Sequence, residues 1–153
     1  MKFILVSLGG IETLFDTQRL PVLDNVAWIV PDEMANSRQD IIPQSTFALP
    51  YIDLLASVDV IVTKTGYGAM VEAITLQKPM LCLARPDWPE QPALFSWSHQ
   101  HGYLQTLLME QLGTAIFQEA IKASLSVIWA KPAVKASGAQ QAATILLQRL
   151  RTL

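Results

Sequence analysis

Continuous apolar runs of strand length alternate with amphipathic stretches of helical period along most of this chain. "KFILVSL" (Lys2 to Leu8) is rich in β-forming residues and ends in Gly9-Gly10, the pattern of a strand entering a tight loop. "VAWIVP" (Val26 to Pro31) is a second such run, stopped by its proline. Asp16 to Pro21 is too short and polar for a long helix, Asn36 to Gln44 reads as a polar connector, and "STFALP" predicts a third, short strand. "YIDLLASV" (Tyr51 to Val58) carries apolar residues at spacings of three and four and predicts a short amphipathic helix.

"VDVIVT" (Val58 to Thr63) and "PMLCLA" (Pro79 to Ala84) lack the alternation of half-exposed strands and predict strands covered on both faces, as in a parallel sheet. Gly66 to Leu76 predicts the helix between them, with Met70, Val71, Ala73 and Ile74 as its buried stripe and Gln77-Lys78-Pro79 as its stop. The loop "RPDWPEQP" follows, then a helix around Ala93 to His101, a short segment at Gly102 to Leu104, a helix around Thr114 to Ile128 and a last helix around Ser137 to Arg151. Strands alternating with helices in this way predict a doubly wound α/β domain with a parallel sheet.

Length and composition narrow the picture. The 153 residues fit one domain spanning 1–153. A formal net charge of -2 gives no basic field to gather nucleic acid, so none is expected as a partner. Apolar residues make up 51% of the chain, which predicts either a well-filled core or an apolar face meant for a partner. Cys82, the only cysteine, lies in the apolar run "MLCLA" and reads as an inert buried thiol of a reducing compartment. The opening "MKFILVSLGG" is too short in its apolar part for a signal sequence. No apolar stretch approaches the roughly 20 residues that span a bilayer. A cytoplasmic protein without a transmembrane segment is expected.

In an open parallel α/β sheet, ligands collect beyond the carboxyl ends of the strands. Gly9-Gly10, Lys64 to Gly68 and Arg85 to Gln91 all fall at such ends. Gly66 and Gly68 allow a sharp turn and close approach to a ligand, and the helix they open offers unpaired N–H groups and a positive dipole end, a seat for phosphate. Glu72 lies one turn further on, and helical side chains lean back toward the N-terminus, so its carboxylate is placed to accept from the two hydroxyls of a ribose. The same residues also fit a plain strand-to-helix turn followed by a solvated glutamate. In "RPDWPEQP", a capping box of Asp87 and Glu90 would put Pro92 inside the helix, at a cost of roughly 3 kcal/mol. A start near Pro89 or Glu90 puts Pro92 in the permissive first turn and leaves Glu90 and Gln91 at the helix mouth, a chemistry suited to sugar hydroxyls.

The stretch "ASVDVIVTKTGYGAMVEAITLQKPMLCLARPDWPEQ" resembles the C-terminal, donor-binding half of GT-B glycosyltransferases, of the MurG and UDP-glycosyltransferase kind. It is similar too to the glycosyltransferase-like half of L-arabinokinase-type proteins. The resemblance implies a Rossmann-like sheet forming one half of a GT-B fold, and an inverting, metal-independent transfer of a hexosyl group from a nucleotide sugar, most simply a UDP-sugar. It implies that Gly66, Tyr67, Gly68, Ala69 and Met70 hold the diphosphate by backbone amides, with Gly9 and Gly10 beside it. It implies that Glu72 binds the ribose, and that Glu90 and Gln91 bind the donor sugar. No catalytic residue, metal or cofactor is expected in this half, the nucleotide sugar being substrate. The partner implied is an N-terminal acceptor-binding half, in cis or as a separate subunit, without which turnover is not expected.

The chain departs from that pattern in placing Gln77 where a glycine is usual and in lacking the fuller Gly-Gly-Ser-x-Gly form of the first loop. Two other readings remain. One is a non-catalytic nucleotide-sugar module. The other is an enzyme like UDP-N-acetylglucosamine 2-epimerase, for which this half offers no convincing set of carboxylates and histidines. His99 and His101 do not share a helix face and predict no metal site. Lys64 suits either a phosphate contact or a solvated strand end, and Trp88 either stacking on a ligand or packing on the next helix. Trp28, Trp97 and Trp129 are assigned to core or interface. Ser7 and Thr65 have no histidine-acid partnership that would make either a nucleophile.

Overall fold

A computed structural model of the chain describes residues 1–8 and 15–151. Its strands are Lys2–Ser7 (β1), Val26–Val30 (β2), Ile41–Pro43 (β3), Val60–Lys64 (β4), Met80–Leu83 (β5) and Leu104–Leu107 (β6). Its α-helices are Tyr51–Ser57 (α1), Tyr67–Thr75 (α2), Gln91–His101 (α3), Ala115–Leu125 (α4) and Gly138–Leu150 (α5). The strands form one all-parallel sheet in the order β3-β2-β1-β4-β5-β6. This is the doubly wound, Rossmann-like α/β architecture expected from the alternation of elements.

Successive strand residues point to opposite faces, and both faces are apolar. Ile4, Val6, Trp28, Val30, Val60, Val62, Leu81 and Leu83 pack with Phe117 and Ile121 of α4. Leu5, Ile29, Ile61, Met80 and Cys82 pack with the inward residues of α1, α2 and α3. Trp28 is fully buried, stacks on Phe117 at 6.0 Å between ring centroids, and donates its indole N–H to the Pro21 carbonyl. At the amino end of the sheet, Asp59 accepts from the Phe3 amide at 2.8 Å and from Lys2 Nζ at 2.7 Å, tying β1 to the start of β4.

Four expectations are corrected. Asn36 to Gln44 is not all connector: Ile41–Pro43 forms the edge strand β3, in register with Trp28 to Val30. "STFALP" is not a strand; Gln44–Phe47 is a 3-10 turn ended by Ala48 in the left-handed region at φ 47°, and Phe47 packs edge-on against Phe3. The segment after Gly102 is the edge strand β6 and runs on to Leu107. Val71 is 37% exposed, so the inward stripe of α2 is Met70, Ala73 and Ile74, the positions three and four apart.

Gln77 lies at φ 57° directly after α2. Its N–H donates to the Ile74 carbonyl and that of Lys78 to the Ala73 carbonyl, the paired bonds of a Schellman cap. The helix end usually built on glycine is here built on glutamine.

Candidate functional site

The order of strands reverses between β1 and β4, whose register pairs Ser7 with Thr63. At such a switch point the loops leave the sheet in opposite directions and open a crevice at the carboxyl ends of the strands. Crossover helices run antiparallel to the strands, so the first residues of α1, α2 and α3 sit at that same end. Gly9 and Gly10, expected beside the crevice, lie outside the described residues.

Gly66 is the N-cap of α2, and no side chain caps this helix. Its φ of -176° is extended backbone open to any residue, and a Cβ built on Gly68 would meet nothing within 4 Å. Neither glycine is therefore required by the fold; what they keep clear is the space in front of the helix. The Met70 N–H already donates to the Gly66 carbonyl at 3.3 Å, and its side chain is fully buried, so Met70 is not a free donor. The amides of Tyr67, Gly68 and Ala69, in the first turn, have no carbonyl of the helix four residues back to accept from them.

Glu72 is half-buried, and among the described residues no hydrogen-bond donor or cation within ion-pair distance reaches its carboxylate. Tyr51, the first residue of α1, has a phenol oxygen that accepts from Ser7 Oγ at 3.3 Å. Burial holds the Tyr51 phenol above its ordinary value; the Ser7 bond opposes this and the Glu72 charge adds to it. Ser7 is thus committed to Tyr51.

The third wall comes from the loop before α3. Glu90 is the N-cap of α3, exposed and without a capping bond, and Pro92 falls in the first turn as expected. Gln91 turns inward: its Oε1 accepts from Thr65 Oγ1 at 2.7 Å and from the Arg85 backbone N–H at 2.5 Å. An N–H can only donate, so the amide oxygen faces these groups and the Nε2 donors are left for the crevice side. The Arg85 guanidinium lies 5.8 Å from the centre of the Trp88 ring, and Trp88 meets Tyr67 edge to face at 5.6 Å. Burial, and then the charge of Arg85, hold the Lys64 ammonium below the ordinary lysine range. Two cations and two aromatic rings thus border the glycine turn.

Beneath this rim Cys82 is fully buried, beside Thr65 Oγ1 and Met70 Sδ, and burial pushes its thiol up to about 11. His101 packs on Trp97 at 5.0 Å. Among the described residues no group of three or more His, Cys, Asp or Glu gathers as metal ligands would.

No protein-family model matches the chain, and no curated protein matches it. Among solved structures it is similar to the glycotransferase of kitacinnamycin, with a TM-score of 0.62 at 18% identity over 83% of this chain. The likeness is one of fold. The chain spans 35% of the length of that glycotransferase. A second similar structure, the glycosyltransferase SnogD from Streptomyces nogalater, has a TM-score of 0.49 at 16% identity, over 96% of this chain and 43% of its own. No helix among the described residues is long and apolar enough to cross a membrane.

Of the residues expected at the site, Gln91 is bonded to the turn before α2, while Glu72 lies on α2 and Glu90 stands at the N-cap of α3, helices that begin at the same end of the sheet. Two participants escape a reading of the sequence by motif. Tyr51 reads there only as the start of an amphipathic helix, and Thr65 only as part of a turn. The signal for Tyr51 was positional: the first residue of a crossover helix in a parallel sheet lies at the ligand end.

Proposed function

We propose that this chain is the donor-binding domain of a GT-B glycosyltransferase, taking a nucleoside-diphosphate sugar of the UDP class. The observation that carries the reading is the half-buried Glu72 carboxylate, which meets no donor among the described residues and lies one turn inside an uncapped, glycine-opened helix N-terminus. A carboxylate withdrawn from water without a donor is unfavourable, and the two hydroxyls of a ribose supply donors. The diphosphate then lies on the amides of Tyr67, Gly68 and Ala69, where the helix dipole favours negative charge. As the sugar leaves, charge grows on that diphosphate, and fixed amides aimed at it lower the barrier. Glu90 and the Nε2 donors of Gln91 hold the sugar hydroxyls. The acceptor and the base that deprotonates it belong to an N-terminal half, in the same polypeptide or a partner subunit.

An amide NMR titration with UDP, UDP-N-acetylglucosamine, GDP and dTDP tests the assignment. Shifts are expected at Tyr67 to Ala69 and at Glu90 and Gln91, largest for the uridine nucleotides and weakened in Glu72→Ala. Absence of any shift at these amides at millimolar nucleotide would overturn the reading.

A further inference from the structure

The Tyr51 phenol is bonded to Ser7 at the end of β1, whose register partner Thr63 leads into the turn that opens α2, the helix carrying Glu72. Glu72 and Tyr51 are close enough for the carboxylate charge to act on the phenol, yet no hydrogen bond joins them. Ser7 Oγ donates to the phenol oxygen, which fills an acceptor position on Tyr51 and leaves its own O–H to donate. No acceptor for that proton stands within reach among the described residues. The ring itself is held: it packs against the cluster containing Leu54, Met70 and Ala73, so the hydroxyl is fixed at the end of a rigid lever.

A vicinal diol offers two O–H donors and two oxygen acceptors. Glu72 alone can satisfy only the donors, since an ionised carboxylate has none to give. We propose that Tyr51 is a second ligand-contacting residue of the ribose subsite, its phenol O–H donating to a diol oxygen while Glu72 accepts from the diol protons. The pair then selects a ribonucleotide over its deoxy analogues, and Ser7 is the positioning residue that aims the phenol. This rests on the donor-binding reading above and adds a residue and a specificity to it.

The test measures dissociation constants of UDP, 2′-deoxy-UDP and 3′-deoxy-UDP by NMR titration for the wild type, Tyr51→Phe and Ser7→Ala. Wild type is expected to bind UDP about tenfold tighter than at least one deoxy analogue, as a site built to hydrogen-bond a hydroxyl should. Tyr51→Phe, which keeps the packed ring, is expected to weaken UDP about fivefold while leaving the discriminated deoxy analogue within twofold of wild type. Ser7→Ala is expected to narrow the same ratio. If Tyr51→Phe binds UDP as wild type does, or weakens all three ligands equally, Tyr51 is not a ligand contact and the proposal fails while the donor-binding reading stands. If the wild type binds none of the three, both fall. Should Tyr51→Phe not fold, an unchanged ratio in Ser7→Ala overturns the proposal.

Discussion

The amide oxygen of Gln91 lies 2.7 Å from the Thr65 hydroxyl, so the first residue of α3 is fastened to the turn that opens α2. The same oxygen accepts from the Arg85 N–H, and one side chain therefore fixes two loops of the crevice to each other. This structural bond can be separated from the sugar contact proposed for Gln91. Gln91→Glu keeps an acceptor for both donors, removes the Nε2 protons and adds a negative charge. It is expected to leave the unfolding midpoint within a degree or two and to weaken binding of a UDP-sugar relative to UDP. Gln91→Leu strands the Arg85 N–H and is expected to cost about 1–2 kcal/mol in urea unfolding.

Gly68 gives a second separation of stability from binding. With nothing within 4 Å of a Cβ built there, Gly68→Ala meets no clash and removes the entropic cost of a helical glycine. Stability is expected to rise by up to about 0.5–1 kcal/mol. On the proposed donor-binding reading the new methyl stands in the path of the diphosphate, so nucleotide affinity is expected to fall at the same time. A variant that gains stability and keeps full affinity would show that the space is not a ligand seat.

The parallel core was legible because its chemistry is local: β1, β2, β4 and β5 are unbroken apolar runs, and buried strands need nothing else to be recognised. The two edge strands were not. β3 has only a buried Ile41 and a half-buried Ile42 before its proline, and β6 has two exposed residues between half-buried Leu104 and buried Leu107, so neither carries a full pattern. "STFALP" holds β-forming residues, yet Phe47 serves the core through a turn rather than a strand. That Gly66 and Glu72 belong to one turn and helix, and Glu90 to the start of the next, could be read from spacing, because local geometry fixes them within a few residues. The links of Gln91 to Thr65 and of Ser7 to Tyr51 join residues 26 and 44 positions apart, and only the tertiary fold brings them together.

Gln77 is a place where the fold works against its residue. Its φ of 57° crowds a Cβ, and a Schellman cap prefers glycine at this position. Gln77→Gly is expected to stabilise the domain by about 0.5–1 kcal/mol in chemical denaturation, the relief of backbone strain exceeding the added entropy of the unfolded chain. Nucleotide binding should not change, since this end of α2 is remote from the crevice.

Asp59 sets an acid limit on stability. Burial works to raise its carboxyl, but the Lys2 and Phe3 bonds and the charges of Lys2 and Lys78 outweigh it and hold the group below its ordinary value. A depressed folded-state value means that the stabilisation is present above the unfolded value, near 4, and is lost as pH falls through the folded one. The stability difference between wild type and Asp59→Asn is therefore expected to be constant from pH 5 to 7 and to shrink below pH 4. A difference that does not change between pH 6 and 3 would show that the Asp59 charge contributes nothing.

Every residue of α5 is exposed, with Ile145, Leu146, Leu147 and Leu150 between 57% and 67% accessible. A 13-residue helix with no buried side chain gains little from packing, and isolated helices of that length are marginal in water. Amide hydrogen exchange is the direct check. In dilute chain, Ala142 to Leu150 are expected to exchange within about tenfold of an unstructured peptide, while Phe117 to Ile121 of α4, packed in the core, exchange only through global unfolding. Leu146→Glu is accordingly expected to leave the unfolding free energy within about 0.5 kcal/mol of wild type. Protection of α5 equal to that of α4 would mean that its apolar face is covered in solution, and the same measurement repeated across protein concentrations would separate covering by a second copy from covering by the domain itself.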